Sequence, residues 1–474
     1  MQKFKRKISL LLGLVFFTFV VGQRNEKPKS SRKDNREAEV FNTVVPTHSY
    51  DIILGRPTAN SITLSILCYK PSSGQVEYWN STDKKLKTKQ LLFEPAKPTE
   101  VLLTDLQSDK QYFYQIIFDN GKTVSDVYHF HTQRSKNSNF RFTITADSHL
   151  DENAAVENYK TTLLNAASDS ADFHFDLGDT FMTDKYREQY KNAFNQYIAQ
   201  RYYFGLLCSS SSLFFVLGNH DGESGQRLNG TENNTTVWSN LTRKTYFPNP
   251  VPNNLYSGDS SELPFIGLPQ DYYAFEWGNA QFIVLDPFLF TGRSGMDNPW
   301  DRTLGKTQYD WLKSTLENSK ATFKFVFIHN LVGGVDMKGK ARGGVEVAGL
   351  YEWGGKNPDG TNGFSTHRPS WEMPIHDLLL KNHVSVVFHG HDHLFARQEK
   401  DGIIYQCISQ PGSKRTRVSN QAAEYGYQNN DIFLNPGYLR VGIQKDKAVF
   451  EFVNTDNTDI SKNKKVIYKY ELKK

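Results

Sequence analysis

The stretch FFVLGNHD, residues 214–221, places a cluster of polar side chains directly after a run of apolar residues. Four further stretches repeat this pattern: FRFTITADSH (140–149), FHFDLGD (173–179), KFVFIH (324–329) and VSVVFHGHDH (384–393). In alternating α/β sheets, ligands bind at the carboxyl ends of the strands. Carboxylate, imidazole and amide groups brought repeatedly to one such edge are what a two-metal site requires. The five stretches therefore predict an α/β domain with a metal centre at one sheet edge.

The composition indicates a multidomain protein with a packed core. The chain has 474 residues, of which 38% are hydrophobic and 14% aromatic. This length predicts two or three domains, and the aromatic share is typical of a β-rich protein. The three cysteines form an odd set without metal-ligand spacing. Cys68 and Cys407 lie in strand-like runs, where we expect buried free thiols rather than a disulfide framework.

The first 22 residues predict a signal peptide. An apolar stretch (8–21) follows a basic n-region, and Gly22 is a small residue at the cleavage point. The basic residues are Lys3, Lys5, Arg6 and Lys7. The alternative is a retained N-terminal membrane anchor. We expect a secreted or periplasmic protein with no stable membrane span after signal cleavage.

The charge of the processed chain gives no reason to propose nucleic-acid binding. The formal net charge of the whole chain is +5. Because residues 1–22 contain four basic residues and no acid, the charge falls to about +1 when they are removed. A nearly neutral protein lacks the basic character that nucleic-acid binding proteins use.

Residues 45–133 predict a separate all-β domain. Residues 23–44 are dense in charged and Ser residues and predict a disordered linker. Residues 45–133 contain short alternating strands separated by turns, which is typical of an antiparallel β-sandwich. The spacing of Leu106, Tyr112 and Tyr114 resembles that of fibronectin type III domains.

Residues 140–474 predict the second domain, in which strands alternate with helices. We expect helices at 152–168, 184–200 and about 371–382. Two long loop-like stretches interrupt the alternation. Residues 222–270 are rich in Asn, Ser, Gly and Pro, and residues 333–370 are rich in Gly. Loops of this length in a compact domain are usually functional or disordered.

The donor set favours particular metals and an anionic substrate. Carboxylate oxygen combined with imidazole suits Mn, Fe or Zn better than Ca. Two divalent ions carry four positive charges, and only Asp147 and Asp179 are clear anionic ligands. Such a site remains positive, which favours a phosphoryl group. Paired metals of this kind lie about 3.5–4 Å apart and activate water for an in-line displacement.

The set D-x-H, G-D, G-N-H-D, H and G-H-x-H resembles the calcineurin-like metallophosphoesterase superfamily. The resemblance covers about residues 140–412 and implies a four-layer α/β/β/α fold. An N-terminal fibronectin-like sandwich in front of it is similar to the arrangement in purple acid phosphatases. The resemblance implies that one metal is held by Asp147, His149 and His393, that Asp179 bridges, and that the second is held by Asn219, His329 and His391.

The resemblance also implies roles outside the metal ligands. His220 would face the substrate and assist the leaving group, and Asp221 would orient it and help it carry charge. The sequence departs from the purple enzymes at one place. Met182 stands where they have a ferric-iron Tyr ligand, and His149 is a ligand that they lack. We therefore expect a colourless centre.

The Gly-rich stretch 333–370 predicts substrate contacts, because it connects the strand before His329 to the helix before His391. Its basic residues Arg342, His367 and Arg368 could meet phosphate oxygens, and Arg is suited to bidentate phosphate contact. The alternative is a solvated loop whose basic residues touch nothing.

The predicted function is hydrolysis of a phosphate ester by a hydroxide that bridges two metal ions. A monoesterase acting on a phosphorylated small molecule or an exposed phosphoester is favoured. The alternatives are a phosphodiesterase or nucleotidase of the same fold, or a non-catalytic binding protein on that fold. Loss of a metal ligand would favour the binding protein, and none is missing from the sequence.

Overall fold

The computed structural model describes residues 40–80, 84–333, 342–414, 421–427 and 431–474. The predicted signal peptide and residues 23–39 of the predicted linker lie outside them. No helix within these ranges is both long and apolar enough to cross a bilayer. Cys68, Cys208 and Cys407 are buried free thiols, as predicted for Cys68 and Cys407.

The N-terminal β region consists of two antiparallel sheets that share one hydrophobic core. The strands are β1 Tyr50–Gly55, β2 Ile62–Cys68, β3 Ser72–Asn80, β4 Leu86–Lys87, β5 Leu91–Phe93, β6 Thr99–Leu103, β7 Gln111–Phe118, β8 Thr123–Val124 and β9 Tyr128–His131. One sheet has the order β1-β2-β6, and the other has β4-β3-β7-β8 with β5 on β3 and β9 on β7. In β7, residues Tyr112, Tyr114, Ile116 and Phe118 are buried and alternate with less buried neighbours, as the sequence predicts.

Residues 140–473 form an α/β domain with fourteen further strands and eight helices in the described ranges. The strands are β10 Phe140–Thr145, β11 Phe173–Asp176, β12 Ser212–Phe215, β13 Ser257–Gly258, β14 Tyr273–Trp277, β15 Ala280–Val284, β16 Phe323–Phe327, β17 Val386–His389, β18 Phe395–Lys400, β19 Ile403–Cys407, β20 Ile432–Phe433, β21 Gly437–Ile443, β22 Lys447–Asn454 and β23 Val466–Lys473. The helices are α1 Val156–Ala167, α2 Phe194–Cys208, α3 Thr235–Tyr246, α4 Lys306–Asn318, α5 Tyr351–Gly354, α6 Phe364–His367, α7 Ile375–Lys381 and α8 Gln421–Glu424.

The α/β domain has the predicted four layers. One sheet has the order β12-β11-β10-β21-β22-β23, and the other has β13-β14-β15-β16-β17-β19-β18-β20. A core of buried residues from both sheets joins them face to face. Helices α1 and α2 cover the outer face of the first sheet, and α4 and α7 cover that of the second.

Aromatic residues explain why the two sheets pack so closely. The rings of Phe175 in β11 and Phe327 in β16 stack at 4.0 Å, and Phe327 also stacks on Phe388 in β17 at 4.8 Å. Stacked aromatic rings at such distances add to the free energy gained from burial. The strands that precede the polar clusters are therefore anchored in the centre of the domain, and their carboxyl ends are held in fixed positions.

The helix predictions are correct in part. Helix α1 lies within the predicted 152–168 and α7 within 371–382. The predicted helix at 184–200 is instead a 3₁₀ segment, Thr183–Ala193, followed by α2. The stretch 222–270 is not a continuous loop, because it contains α3, whose amino end is capped by Asn234 accepting from Val237 N–H. The polar residues that suggested a loop are partly an N-cap signal.

The N-terminal β region packs directly on the α/β domain. Arg201 in α2 is fully buried, and its guanidinium donates to the Ser65 hydroxyl and to the backbone oxygens of Ser65, Asp51 and Tyr246 at 2.7–3.1 Å. Tyr114 donates its hydroxyl to the Ser209 oxygen at 2.6 Å. These buried polar contacts fix the β region against the outer face of the first sheet.

The end of the predicted linker is ordered, which corrects the prediction for residues 40–44. Phe41 stacks on Tyr186 at 4.2 Å between ring centroids. Asn42 N–H donates to Leu150 O at 2.8 Å, and its side chain donates to Asp151 O. Charged composition predicted disorder, but an aromatic residue and an amide supply specific contacts here.

Candidate metal centre

The structure brings all seven predicted metal-ligand side chains to the carboxyl ends of the strands, but through turns rather than extended segments. Asp147, His149, Asp179, His391 and His393 all have positive φ angles, between 37° and 70°. Asp147 and His149 therefore do not lie on an extended segment. Non-Gly residues with positive φ are strained, and such strain concentrates at functional sites.

Glycines allow the turns to come close together. Gly178 has φ +94°, and a Cβ there would overlap the backbone of Gly218. A Cβ on Gly390 would lie 2.8 Å from Asp147 Oδ2 and 2.9 Å from the Ala146 Cβ. Only glycine fits at these positions, so the G in the G-D and G-H-x-H motifs is a steric requirement.

The first group of donor atoms comprises Asp147, His149 and His393, whose ligand atoms all lie within 4.8 Å of one another. Asp147 Oδ1 is 3.4 Å from His393 Nε2 and 3.7 Å from His149 Nε2. Two donor atoms bound to one ion at about 2.1 Å lie about 3.4 Å apart in tetrahedral geometry. The distances between these donor atoms therefore match those between ligands of one shared metal ion.

The second group comprises Asp179, His329 and His391, again within 4.8 Å. His329 Nε2 lies 3.2 Å from His391 Nδ1 and 3.2 Å from Asn219 Oδ1. Asp179 connects the two groups, because its Oδ2 is 3.4 Å from His149 Nε2 and 3.4 Å from His329 Nε2. Its other oxygen accepts from His220 N–H at 2.8 Å, which fixes the carboxylate orientation.

Two imidazole rings are oriented by groups behind them. His329 Nδ1 lies 2.7 Å from Leu177 O, so Nδ1 donates to this oxygen and Nε2 faces the centre. His149 Nδ1 lies 3.3 Å from Asp151, which is also paired with Lys185 at 2.6 Å. Partners of this kind fix the tautomer and orientation of metal-binding histidines. Sequence reasoning missed Asp151, although it follows the D-x-H motif by two residues.

Two of the donor atoms that face the centre lack protein partners. Asp147 Oδ1 and His149 Nε2 are buried and make no hydrogen bond. Buried polar atoms are nearly always hydrogen-bonded, so an orphaned pair that converges on one point indicates a place for a ligand. The residues of the first group therefore fit a bound metal ion.

Burial and neighbouring charges have opposing effects on the pKa values of several side chains at the centre. Burial lowers the pKa of His329, but the carboxylates of Asp179 and Asp147 outweigh it and raise that pKa to about 9. Burial also disfavours ionised Asp147, yet His393 and His149 hold its pKa below the usual range. Burial and the nearby Arg342 lower the pKa of His391 well below its ordinary value. The two carboxylates thus hold negative charge where a cation would be bound.

His220 is paired with a carboxylate other than the predicted one. His220 Nδ1 lies 2.8 Å from Asp184 Oδ1. Asp221 instead accepts from four backbone N–H groups, those of Gly218, Asp179, Thr180 and Phe181, at 2.7–3.1 Å. The prediction that Asp221 orients His220 is therefore wrong. Asp221 holds the turns after β11 and β12 together, because the amides exposed where these strands end need an acceptor.

The three predicted substrate contacts divide into one at the centre and two away from it. Arg342 donates from Nη1 to His391 O at 2.7 Å and lies 3.3 Å from Asp392. Arg368 forms a 2.6 Å ion pair with the fully buried Glu352 and donates to Trp300 O. His367 stacks on the Trp300 ring at 4.4 Å. The prediction is wrong for His367 and Arg368, whose polar and aromatic groups are used in packing.

His389, directly before Gly390, belongs to the core. It is 1% exposed, and burial lowers its pKa to about 4. It lies with Asp392 and Cys407 in a third cluster of potential ligand atoms. Asp392 already accepts from Tyr427 Oη at 2.7 Å and from Gly343 N–H at 2.9 Å. In this cluster Asp392 is therefore satisfied by the protein itself, whereas His389 Nε2 has no hydrogen-bond partner.

The family model for the calcineurin-like phosphoesterases matches residues 140–395, which is just over half of the chain. The chain belongs to this family. The resemblance drawn from the five motifs is thereby confirmed. The metallophosphoesterase fold implies divalent metal ions, and the two groups of His and Asp side chains are the candidates for holding them.

Solved structures show where this phosphoesterase resembles known folds. The structure of PhoD aligns over 91% of this chain and 92% of its own, with 15% identity and a TM-score of 0.63. The purple acid phosphatase PPD1 from yellow lupin (Lupinus luteus) aligns over 90% of this chain and 74% of its own, with 14% identity and a TM-score of 0.58. At such identities the likeness concerns the fold. No curated protein matches the chain.

Proposed function

We propose that this metallophosphoesterase is a secreted or periplasmic hydrolase with a dinuclear centre that prefers phosphate monoesters. The observation that carries the proposal is the position of Asp179 Oδ2, at 3.4 Å from a histidine nitrogen of each donor group. A carboxylate oxygen shared equally between two sets of ligands is what a bridged metal pair requires.

The residues divide into two sets of ligands. Asp147, His149 and His393 would hold one ion, Asn219, His329 and His391 the other, and Asp179 would contact both. When bound, the metal pair would activate water and neutralise charge on the phosphoryl oxygens. Leu177 O and Asp151 keep His329 and His149 in the orientation that this requires.

His220 is the proposed proton donor to the leaving oxygen. Its Nδ1 is held by Asp184, and its Nε2 lies 3.9 Å from Asp179 Oδ2, which places the ring beside the centre. The side chain is about one-quarter exposed, so a substrate can reach it. A positioned imidazole acid contributes about 10²–10⁴-fold to such reactions.

Two further observations support the finer parts of the proposal. Arg342 adds positive charge beside His391, which favours a monoester dianion over a diester with one charge. The basic and apolar segments of residues 1–22 support export.

His220→Ala tests the proposal when metal content and turnover are measured together. We expect two metals per chain in both proteins, hydrolysis of phenyl phosphate faster than of diphenyl phosphate, and a 10²–10⁴-fold lower kcat in the variant. His48, a partly exposed residue bonded to Pro46 O in the N-terminal β region, provides a matched His48→Ala control. Loss of metal from His220→Ala would show that His220 is a metal ligand. If the metal-loaded wild-type protein hydrolysed neither ester, the proposed enzymatic activity would be rejected.

A further inference from the structure

A cavity of about 560 Å³ opens beside the metal centre on the side of His220. Asn219, His220 and His391 form its wall toward the centre. This volume is in the range of sites that bind small molecules. Because His220 is the proposed proton donor, the group that leaves from phosphorus would occupy this cavity. The inference below rests on the proposed function in this respect.

Three arginines from separate parts of the chain line the cavity: Arg227, Arg302 and Arg342. Asp184 is the only acid among its described lining residues, and it is bonded to His220. Arg227 lies 3.8 Å from Asp184, a distance too long for a hydrogen bond. Among the described lining residues, three arginines therefore accompany one aspartate, and Arg342 is also paired with Asp392.

The segment that carries Arg302 is braced from behind. Arg302 Nε donates to Gly295 O at 2.9 Å. The backbone oxygens of Trp300 and Arg302 both accept from Arg368 Nη2, at 2.5 and 3.3 Å. Arg368 is itself fixed by Glu352. These part-buried contacts hold the backbone segment that carries Arg302 in place.

Part of the cavity wall is apolar. It includes Pro287, Phe288 and Val332. The Phe288 ring lies 6.0 Å from the ring of His329, so it flanks the metal centre directly. A flat or apolar body between the phosphoryl group and the arginines would contact this wall.

We propose that this cavity binds a leaving group that carries a second anionic group, either a carboxylate or a second phosphate, and that Arg302 and Arg227 bind that anion. Arginine is suited to both anions because its fork of N–H donors matches two oxygens. The natural substrate class is then a phosphate monoester of an anionic alcohol or phenol, with the apolar part of the leaving group against Phe288.

Three monoesters with nearly equal leaving oxygens test the proposal: phenyl phosphate, 4-(carboxymethyl)phenyl phosphate and 4-(phosphonomethyl)phenyl phosphate. The methylene insulates the reacting oxygen from the added anion. We expect wild-type kcat/KM to be about tenfold or more higher for at least one anionic ester, mainly through a lower KM, as charge-assisted hydrogen bonds allow. The anionic ester with the larger increase in kcat/KM shows whether the cavity prefers a carboxylate or a phosphate-like group.

Arg302→Gln and Arg227→Gln should each reduce this preference ratio, by about tenfold for the stronger contact. Arg302→Lys should restore part of it. Arg141→Gln is the matched control, because Arg141 lies at the opposite end of β10 and donates to Asp169 O. Its ratio should equal that of the wild type.

Binding of non-hydrolysable analogues separates this proposal from the proposed function. Calorimetry of the metal-loaded protein measures the dissociation constants of benzylphosphonate and of 4-carboxybenzylphosphonate or 1,4-xylylenediphosphonate. The ratio of these constants reports the preference for the added anion without turnover. If turnover is absent but the anionic analogues bind tighter through Arg302, the cavity assignment stands and the enzyme proposal fails. Equal ratios in wild type, Arg302→Gln and Arg227→Gln, by both turnover and binding, would overturn the cavity assignment.

Discussion

Glu223 and Asp147 are both buried carboxylates near the metal-bearing turns, yet their surroundings are opposite. Both oxygens of Glu223 are bound, by Arg243 at 2.5 and 2.8 Å and by Asn240 at 2.7 Å. Asp147 Oδ1 is equally buried and has no hydrogen-bond partner. A buried carboxylate whose oxygens are hydrogen-bonded stabilises the fold only through its partner. A buried oxygen without a hydrogen bond is tolerated where a ligand binds to it.

A similar difference separates two further carboxylates of the motifs, Asp221 and Asp179. Asp221 follows the structural pattern, with four backbone donors, although it stands in the G-N-H-D motif. Asp179 follows the functional one, because Oδ2 faces the histidines of both donor groups. Four predictions should sharpen or break the distinction.

Asp179→Asn should have the largest effect. It removes the shared anionic oxygen, and we expect kcat to fall by about 10³-fold or more, with fewer metals bound per chain. Added Mn²⁺ should raise the Tm of the wild type but not of the variant, since ligand binding stabilises by mass action. Asp310→Asn, at an exposed pair with Lys306, is the control. Two bound metals and near-normal turnover in Asp179→Asn would exclude the bridging role.

Arg243→Met should lower the free energy of unfolding by about 3–5 kcal/mol, because it leaves Glu223 charged and buried without its partner. Urea unfolding measures this change. The double variant with Glu223→Gln should recover part of the loss. Metal stoichiometry of the remaining folded protein should be normal. A loss below about 1 kcal/mol would show that satisfaction of this pair contributes little to stability.

Asp184→Asn and Asp221→Asn should separate the two carboxylates near His220. The first should lower kcat by about 10-fold, as for other groups that orient a functional imidazole, and less for esters with better leaving groups. The second should lower the free energy of unfolding by about 2 kcal/mol, because an amide offers one oxygen to four N–H groups. If Asp221→Asn changed kcat with stability intact, the original assignment to Asp221 would be restored.

Arg368→Ala should have the smallest effect on activity. Since Arg368 is bound to Glu352 rather than to the centre, kcat/KM for phenyl phosphate should change less than about threefold. The free energy of unfolding should still fall, by about 2 kcal/mol, because Glu352 is fully buried. Arg342→Ala is the matched comparison and should lower kcat/KM about tenfold. Equal kinetic losses in the two variants would contradict the division between them.

The sequence predicted the second domain well because its signals are local. An apolar run followed by Gly and a ligand residue marks both the end of a strand and the edge where ligands gather, as at Gly178-Asp179 and Gly218-Asn219. The left-handed backbone at Asp147 and His391 gave no such signal, because motif spacing does not reveal φ. Helix α3 was missed since its capping Asn234 resembles the loop residues around it.

The sequence by itself determined the fold class and which residue types meet at the sheet edge, because each motif directly follows its strand along the chain. The tertiary structure alone decided which carboxylate each basic group contacts. Asp184 rather than Asp221 meets His220, and Glu352 rather than a phosphate site meets Arg368. A buried charge pairs with whatever partner the packed chain brings within about 3 Å, and sequence distance sets no limit on that choice.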